Sequence, residues 1–178
     1  MPFTISMIES DLIDACLAND RLAQKKLYEK YKNAMYSVCY RITNDYDMAN
    51  DVLQDAFIQI FKSLASFRRE STLGAWIKTI VVRTAIKKIK KTKKFVELDD
   101  RITSGDDFID WGHYLDAEYL EKAILSLPGG YRSVFVLIEV EGYSHKEVGK
   151  MLGISEGTSK SQLFHAKKKL RVKLEKMI

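Results

Sequence analysis

The chain has 178 residues, with 29 Lys or Arg against 24 Asp or Glu and a net charge of +5. That length suits one domain or two small ones, and no apolar run approaches the ~18 residues of a membrane-spanning helix. The opening MPFTISMIESDLIDAC has no basic leader with a small-residue cleavage site, so no secretory signal is expected. Cys16 and Cys39 lack any CxxC or His-rich company and read as reduced core thiols of a cytoplasmic protein.

In chain order the pattern predicts helices and no strands. Residues 10–17 and 20–31 read as an opening pair, followed by a helix over 33–42. After the Asn44-Asp45 corner a long helix is expected over 47–66, where Ala49, Leu53, Ala56, Ile60 and Leu64 recur as a buried stripe. Its other edge carries Asp47, Asp51 and Asp55 at four-residue spacing, with Gln54 beside them. Like charges so placed repel by a few tenths of a kcal/mol per pair. The helix dipole accounts for Asp47 but poorly for Asp55, which leaves a solvated edge and a docking surface for a basic partner both open.

Residues 67–72 form a loop before a helix over 73–90. Trp76, Ile80, Ala85 and Ile89 are expected inward there, with Lys78, Arg83, Lys87, Lys88, Lys90 and Lys91 outward. Phosphate contacts from such a face position DNA without reading it. Phe67, Arg68, Arg69 and Ser71 suit stacking on and bonding to an unpaired base, although Phe67 and Trp76 read more simply as core. Seven cations fall between Arg83 and Lys94 with no acid among them. An acidic stretch with Glu97, Asp99, Asp100, Asp106, Asp107 and Asp110 follows, and residues 92–111 are the natural linker. Two basic patches around an acidic spacer point to a polyanion held at two places.

Beyond the linker, a helix runs to Leu127, Pro128-Gly129-Gly130 breaks it, and 131–141 forms the next with Val134, Phe135 and Ile138 inward. Residues 142–174 then read as a helix-turn-helix. Ser144 and Glu147 make a capping box; Val148, Met151 and Leu152 supply an apolar face; Gly153 ends the first helix; Ile154 plugs the corner. Ser155 caps a second helix with Leu163, Ala166 and Leu170 inward. Lys160, Ser161, Gln162, His165, Lys167 and Lys168 are expected outward, a polar and basic face of the kind that enters a major groove. His113, His145 and His165 show no zinc-ligand spacing. No phosphate loop or nucleophile motif is present, so neither a metal, a cofactor, a small-molecule substrate nor catalysis is expected.

DMANDVLQDAF (47–57), STLGAWIKTIVV (71–82), LPGGYRSVF and GYSHKEVGKMLGISEGTSKSQL stand in this order across residues 20–174. Together they resemble bacterial sigma factors of the extracytoplasmic-function (ECF) type. The resemblance implies an all-α fold of two small domains: sigma region 2 over 1–93, a flexible acidic linker over 94–113, and a sigma region 4 helix-turn-helix over 114–178. It implies core RNA polymerase and promoter DNA as partners, and an anti-sigma factor as regulator. By position, Asp51, Gln54 and Asp55 match the polymerase-clamp contacts. Phe67, Arg68, Arg69 and Ser71 lie in the loop from Phe67 to Leu73, which matches the one that captures a base flipped from the −10 sequence, and Trp76 is expected with them at the −10 DNA. Extracting that base costs a few kcal/mol. Arg83, Lys87 and Lys88 match the helix along the −10 duplex. Thr158, Lys160, Ser161, Phe164, His165 and Lys168 match the −35 recognition positions. Ser159 stands where the family often has Val, Gly149 where Ala is usual, and Arg83 and Lys87 where Asn and Asp are frequent. Gly149 is expected to cost its helix about 1 kcal/mol. A stand-alone helix-turn-helix regulator is the competing reading, but it requires a receiver or ligand domain upstream, where this chain shows only helices.

Overall fold

The computed structural model describes residues 7–92 and 117–176, and every regular element among them is helical. Chain contacts divide the protein into two compact units that meet between Lys88 and Ile89. The expected linker over 94–113 lies outside the described residues.

The first unit begins with α1 (Met7–Leu17) and α2 (Arg21–Thr43). Asp20 caps α2, its carboxylate accepting from the Leu22 and Ala23 amides at 2.8 and 3.3 Å. The two helices expected over 20–31 and 33–42 are one continuous helix, because neither Gly nor Pro interrupts them. It ends at Asn44, which adopts a left-handed φ of 51° and donates its N–H to the Tyr40 carbonyl at 2.7 Å. Asp45 then caps α3 (Tyr46–Ser63) by accepting from the Met48 amide at 2.9 Å. The predicted stripe is buried throughout: Ala49, Leu53, Ala56, Ile60 and Leu64 are all in the core, joined by Val52 and Phe57. A 3-10 turn, Leu64–Ser66, closes this helix.

Helix α4 (Leu73–Lys91) starts at Thr72, whose Oγ1 accepts from the Ala75 amide at 3.2 Å. Its buried face is Leu73, Ile77, Val81, Val82, Ala85, Ile86 and Ile89. Trp76 and Ile80, expected inward, are only half-buried. The buried residues fill one broad arc of the helix, and Trp76 and Ile80 fall at its edge beside Leu73.

The second unit contains α5 (Ala117–Leu125), α6 (Gly129–Phe135), a π-helical turn (Val136–Val140), α7 (His145–Leu152) and α8 (Glu156–Glu175). Arg132 is buried and its Nη1 donates to the Leu127 and Leu125 carbonyls at 2.8 and 3.4 Å, closing the end of α5. In the π turn the Glu141 amide reaches the Val136 carbonyl at 2.9 Å. The extra residue shifts the inward phase onto Val136 and Leu137 and leaves Ile138, expected inward, half-exposed. Helix α8 packs on α5, α6 and α7 through Leu163, Ala166, Leu170 and Leu174.

Candidate polymerase and promoter interfaces

Asp47, Asp51, Gln54 and Asp55 are exposed along one edge of α3. Ile58, 54 % exposed, follows Gln54 by four residues and stands on the same edge. The edge therefore combines three carboxylates, an amide and one outward apolar side chain. Its sequence signature is an isoleucine outside the buried stripe of α3. Lys88, expected to follow the −10 duplex, instead places its Nζ 3.4 Å from Asp51 Oδ2. The acidic edge of α3 and the basic face of α4 therefore adjoin within one unit. Arg83 and Lys87 remain exposed on α4.

The loop between Leu64–Ser66 and α4 departs from its expected role in two places. Phe67 is buried, only 9 % exposed, and its ring lies 5.3 Å from the half-buried Trp76 ring, tilted 45°. The pair is a core anchor beneath the loop, so Phe67 is not presented to a base. Arg68 is exposed. Arg69 has a left-handed φ of 59°, and its guanidinium donates to Ser10 Oγ at 3.0 Å and to Asp14 Oδ1 at 3.4 Å. Ser71 turns its hydroxyl to the Thr72 carbonyl at 3.3 Å.

The helix-turn-helix forms as its caps dictate. Glu147 accepts from the Ser144 amide at 2.8 Å while its own amide donates to Ser144 Oγ at 3.3 Å. The Ser144 backbone bond, then its hydroxyl, hold the Glu147 carboxyl below the usual range. Gly153 takes a φ of 75°, and both its amide and that of Ile154 donate to the Gly149 carbonyl, at 2.9 and 3.0 Å. Ser155 Oγ accepts from the Thr158 amide at 2.9 Å and caps α8.

On α8 the expected outward face is narrower than the sequence implied. Thr158 is half-buried, Lys160 and Lys168 are exposed, and Phe164, His165 and Lys167 are half-buried. Gln162 is 1 % exposed and Ser161 5 %, so neither belongs to an exposed reading surface. Gln162 is captured because three helices flank α8 and widen its buried arc beyond a single stripe. Ser161 folds its hydroxyl back onto the Thr158 carbonyl at 3.1 Å. The His165 ring stacks on Tyr131 at 5.9 Å and meets Phe164 edge-on at 5.4 Å. Lys160 pairs with Glu156 at 2.9 Å, and Lys167 with Glu139 at 2.7 Å. A shallow cavity of about 590 Å³ along α8 is lined by His165, Lys168, Lys169, Val172, Lys173 and Lys176. It presents four lysines to any polyanion lying there.

A polar seam joins α7 to α8. Ser159 is fully buried, and its Oγ lies 2.9 Å from His145 Nδ1. A hydroxyl where the resemblance expects an apolar contact is thus satisfied by a ring from the other helix. Burial, and then the Lys160 charge, hold His145 below its ordinary pKa. In the sequence this pair carries no signal, because residues 14 apart meet only once the turn is built. Among the described residues, no cluster of His, Cys, Asp or Glu is placed to hold a metal ion, and no helix is long and apolar enough to cross a membrane.

Comparison with known proteins agrees with this layout. The Sigma-70 region 2 model matches residues 27–95 and the Sigma-70 region 4 model residues 117–170. ECF RNA polymerase sigma factor SigM of Mycobacterium tuberculosis is 26% identical over 164 residues, covering 91% of this chain and 82% of that protein. SigW of Bacillus subtilis is 27% identical, covering 87% and 90%. In structure, the sigma factor RpoE of Bartonella quintana, solved in complex with the anti-sigma factor NepR, superposes with a TM-score of 0.51 at 22% identity, over 85% of this chain and 96% of that one. Two region models in their proper order, with ECF relatives aligned along most of the length, show that the chain belongs to the extracytoplasmic-function family of bacterial RNA polymerase sigma factors.

Proposed function

We propose that this sigma factor divides its work between its two units as follows. Residues 1–93 carry core-polymerase binding and −10 recognition, and residues 114–178 carry −35 recognition. Asp51, Gln54 and Asp55 dock onto a basic surface of core polymerase, with Ile58 as the apolar centre of the contact. Arg68 and Ser71, on the loop anchored by Phe67 and Trp76, face a base extruded from the −10 element, while Arg83 and Lys87 follow the adjoining duplex phosphates. Lys88 joins them once it leaves Asp51, an exchange that costs little because exposed pairs contribute only about 0.2–1 kcal/mol. On α8, Thr158, Lys160, Phe164, His165 and Lys168 meet the −35 element. The protein acts in the cytoplasm, where polymerase and chromosome are, and directs initiation without chemistry of its own. Because a solved protein of this fold, RpoE of Bartonella quintana, is held by the anti-sigma factor NepR, a proteinaceous inhibitor is the proposed regulator.

The observation that carries this reading is the exposed α3 face, in which three carboxylates, Gln54 and an outward isoleucine stand together. Its test is charge reversal. Asp51→Lys with Asp55→Lys should weaken binding to core polymerase at least tenfold, about 1.4 kcal/mol, in a fluorescence titration. Unchanged affinity would remove the docking role from α3.

A further inference from the structure

The loop proposed to capture a −10 base is braced by α1, directly at its middle and through Tyr31 of α2 where α4 begins. Arg69, in its middle, sits at φ 59°. A residue with a Cβ avoids that region and keeps it only where its surroundings over-determine it. Those surroundings come from far away in sequence: Ser10 Oγ at 3.0 Å and Asp14 Oδ1 at 3.4 Å both accept from the Arg69 guanidinium. At the loop's other end, a Cβ on Gly74 would stand only 3.2 Å from the Tyr31 ring, so the start of α4 rests directly on Tyr31. The Tyr31 hydroxyl donates to Glu9 Oε1 at 2.9 Å, and Lys30 Nζ reaches the same oxygen at 2.9 Å. Burial raises the Glu9 carboxyl, but the Lys30 and Tyr31 bonds outweigh it and hold it below the usual range. Helix α1 thus holds the middle of the loop directly and its far end through Tyr31 of α2, while Ile13 and Cys16 bury its own apolar face at 2 % and 4 % exposure.

We propose that α1 is the positioning brace of the base-capture loop, with Ser10 and Asp14 setting it through Arg69 and Glu9 setting the start of α4 through Tyr31. This rests on the reading of residues 67–73 as the capturing loop. Arg69 then serves as the tether, which leaves Arg68, and Ser71 once its hydroxyl turns from the Thr72 carbonyl, to meet a base. An exposed Asp14–Arg69 pair contributes little to stability alone; its role here is to select one loop conformation, which is a matter of geometry at the site rather than of folding energy.

The test uses holoenzyme formed with bacterial core polymerase on the strongest promoter recovered by run-off transcription. 2-Aminopurine replaces each position of the non-template −10 segment in turn, and its fluorescence rises where a base leaves the stack. Asp14→Asn and Ser10→Ala should each lower the captured fraction about threefold, within the range of an exposed pair, with core-polymerase affinity unchanged. Asp14→Asn combined with Arg69→Lys should be no worse than either alone, and Asp14→Glu should restore most of the capture. If Arg68→Ala and Ser71→Ala abolish capture while Asp14→Asn and Ser10→Ala leave it intact, the loop reading stands and the brace is overturned. If Arg68→Ala and Ser71→Ala change nothing, the loop reading fails and takes the brace with it. A parallel loss of core affinity in the Asp14 and Ser10 variants marks a folding defect and likewise overturns it.

Discussion

Gly149 gives the sharpest local test, because two physical effects act there with opposite sign. By propensity alone, Ala in place of Gly stabilises a helix interior by about 1 kcal/mol. In α7, however, a Cβ on Gly149 would lie 2.9 Å from the Ile154 carbonyl oxygen, a backbone atom, and 3.6 Å from the Glu156 amide nitrogen. The corner cannot easily retreat, since the Gly149 carbonyl already accepts from the amides of Gly153 and Ile154 at 2.9 and 3.0 Å. Overpacking of this kind costs about 1–3 kcal/mol. The net expectation for Gly149→Ala is a loss near 1 kcal/mol, or ~4–8 °C in the melting of a unit this small. Scanning calorimetry of the full chain measures it. A rise of several degrees would mean that the corner yields and that propensity alone governs the site, which would refute the close approach and restore the simpler expectation that Gly149 only weakens its helix.

Four further outcomes are expected. His145→Gln should flatten the acid side of the stability curve: burial and Lys160 lower the folded-state pKa, so the unfolded chain takes the proton first and stability falls as pH drops below about 6.5. Equal slopes for both proteins between pH 7 and 5 would contradict the seam. Lys160→Ala should reduce the salt slope of −35 DNA binding by about 0.9, whereas Glu156→Gln, which frees Lys160 from a 2.9 Å pair, should tighten binding at low salt. Cys39 is fully buried, which pushes its thiol up to about 12; alkylation in native buffer should spare it and label it only after unfolding. Ser159→Val should weaken the second unit, because it strands a half-buried His145 nitrogen now 2.9 Å from a hydroxyl; a higher melting temperature would show that the apolar contact outweighs the bond.

The parts of this protein that were legible in sequence are those set by short-range rules. The Ser144–Glu147 capping box, the left-handed Gly153 and the Ser155 cap each depend on residues within about one turn of each other, the α3 stripe on a repeat of three and four residues within one helix, and each formed as expected. What was missed depends on partners brought together by the fold. The Lys88–Asp51 pair spans 37 residues and the Arg69–Ser10 bond 59, distances at which no periodicity carries a signal. Gln162 and Ser161 were misplaced for a related reason: a helix with three neighbours buries more than its apolar stripe. Phe67 shows the converse, since its competing reading as core was correct and its geometry with Trp76 explains why the loop above it has a fixed base.

One chain is proposed to join a polymerase-docking face to promoter-reading surfaces. Run-off transcription with bacterial core polymerase over a genomic promoter library tests it most directly. Discrete start sites are expected that appear only when the protein is present and that are lost together when Asp51 and Asp55 are reversed to Lys. Sequence-specific DNA binding by the protein alone, with no promoter-dependent transcription on adding core polymerase, would contradict it.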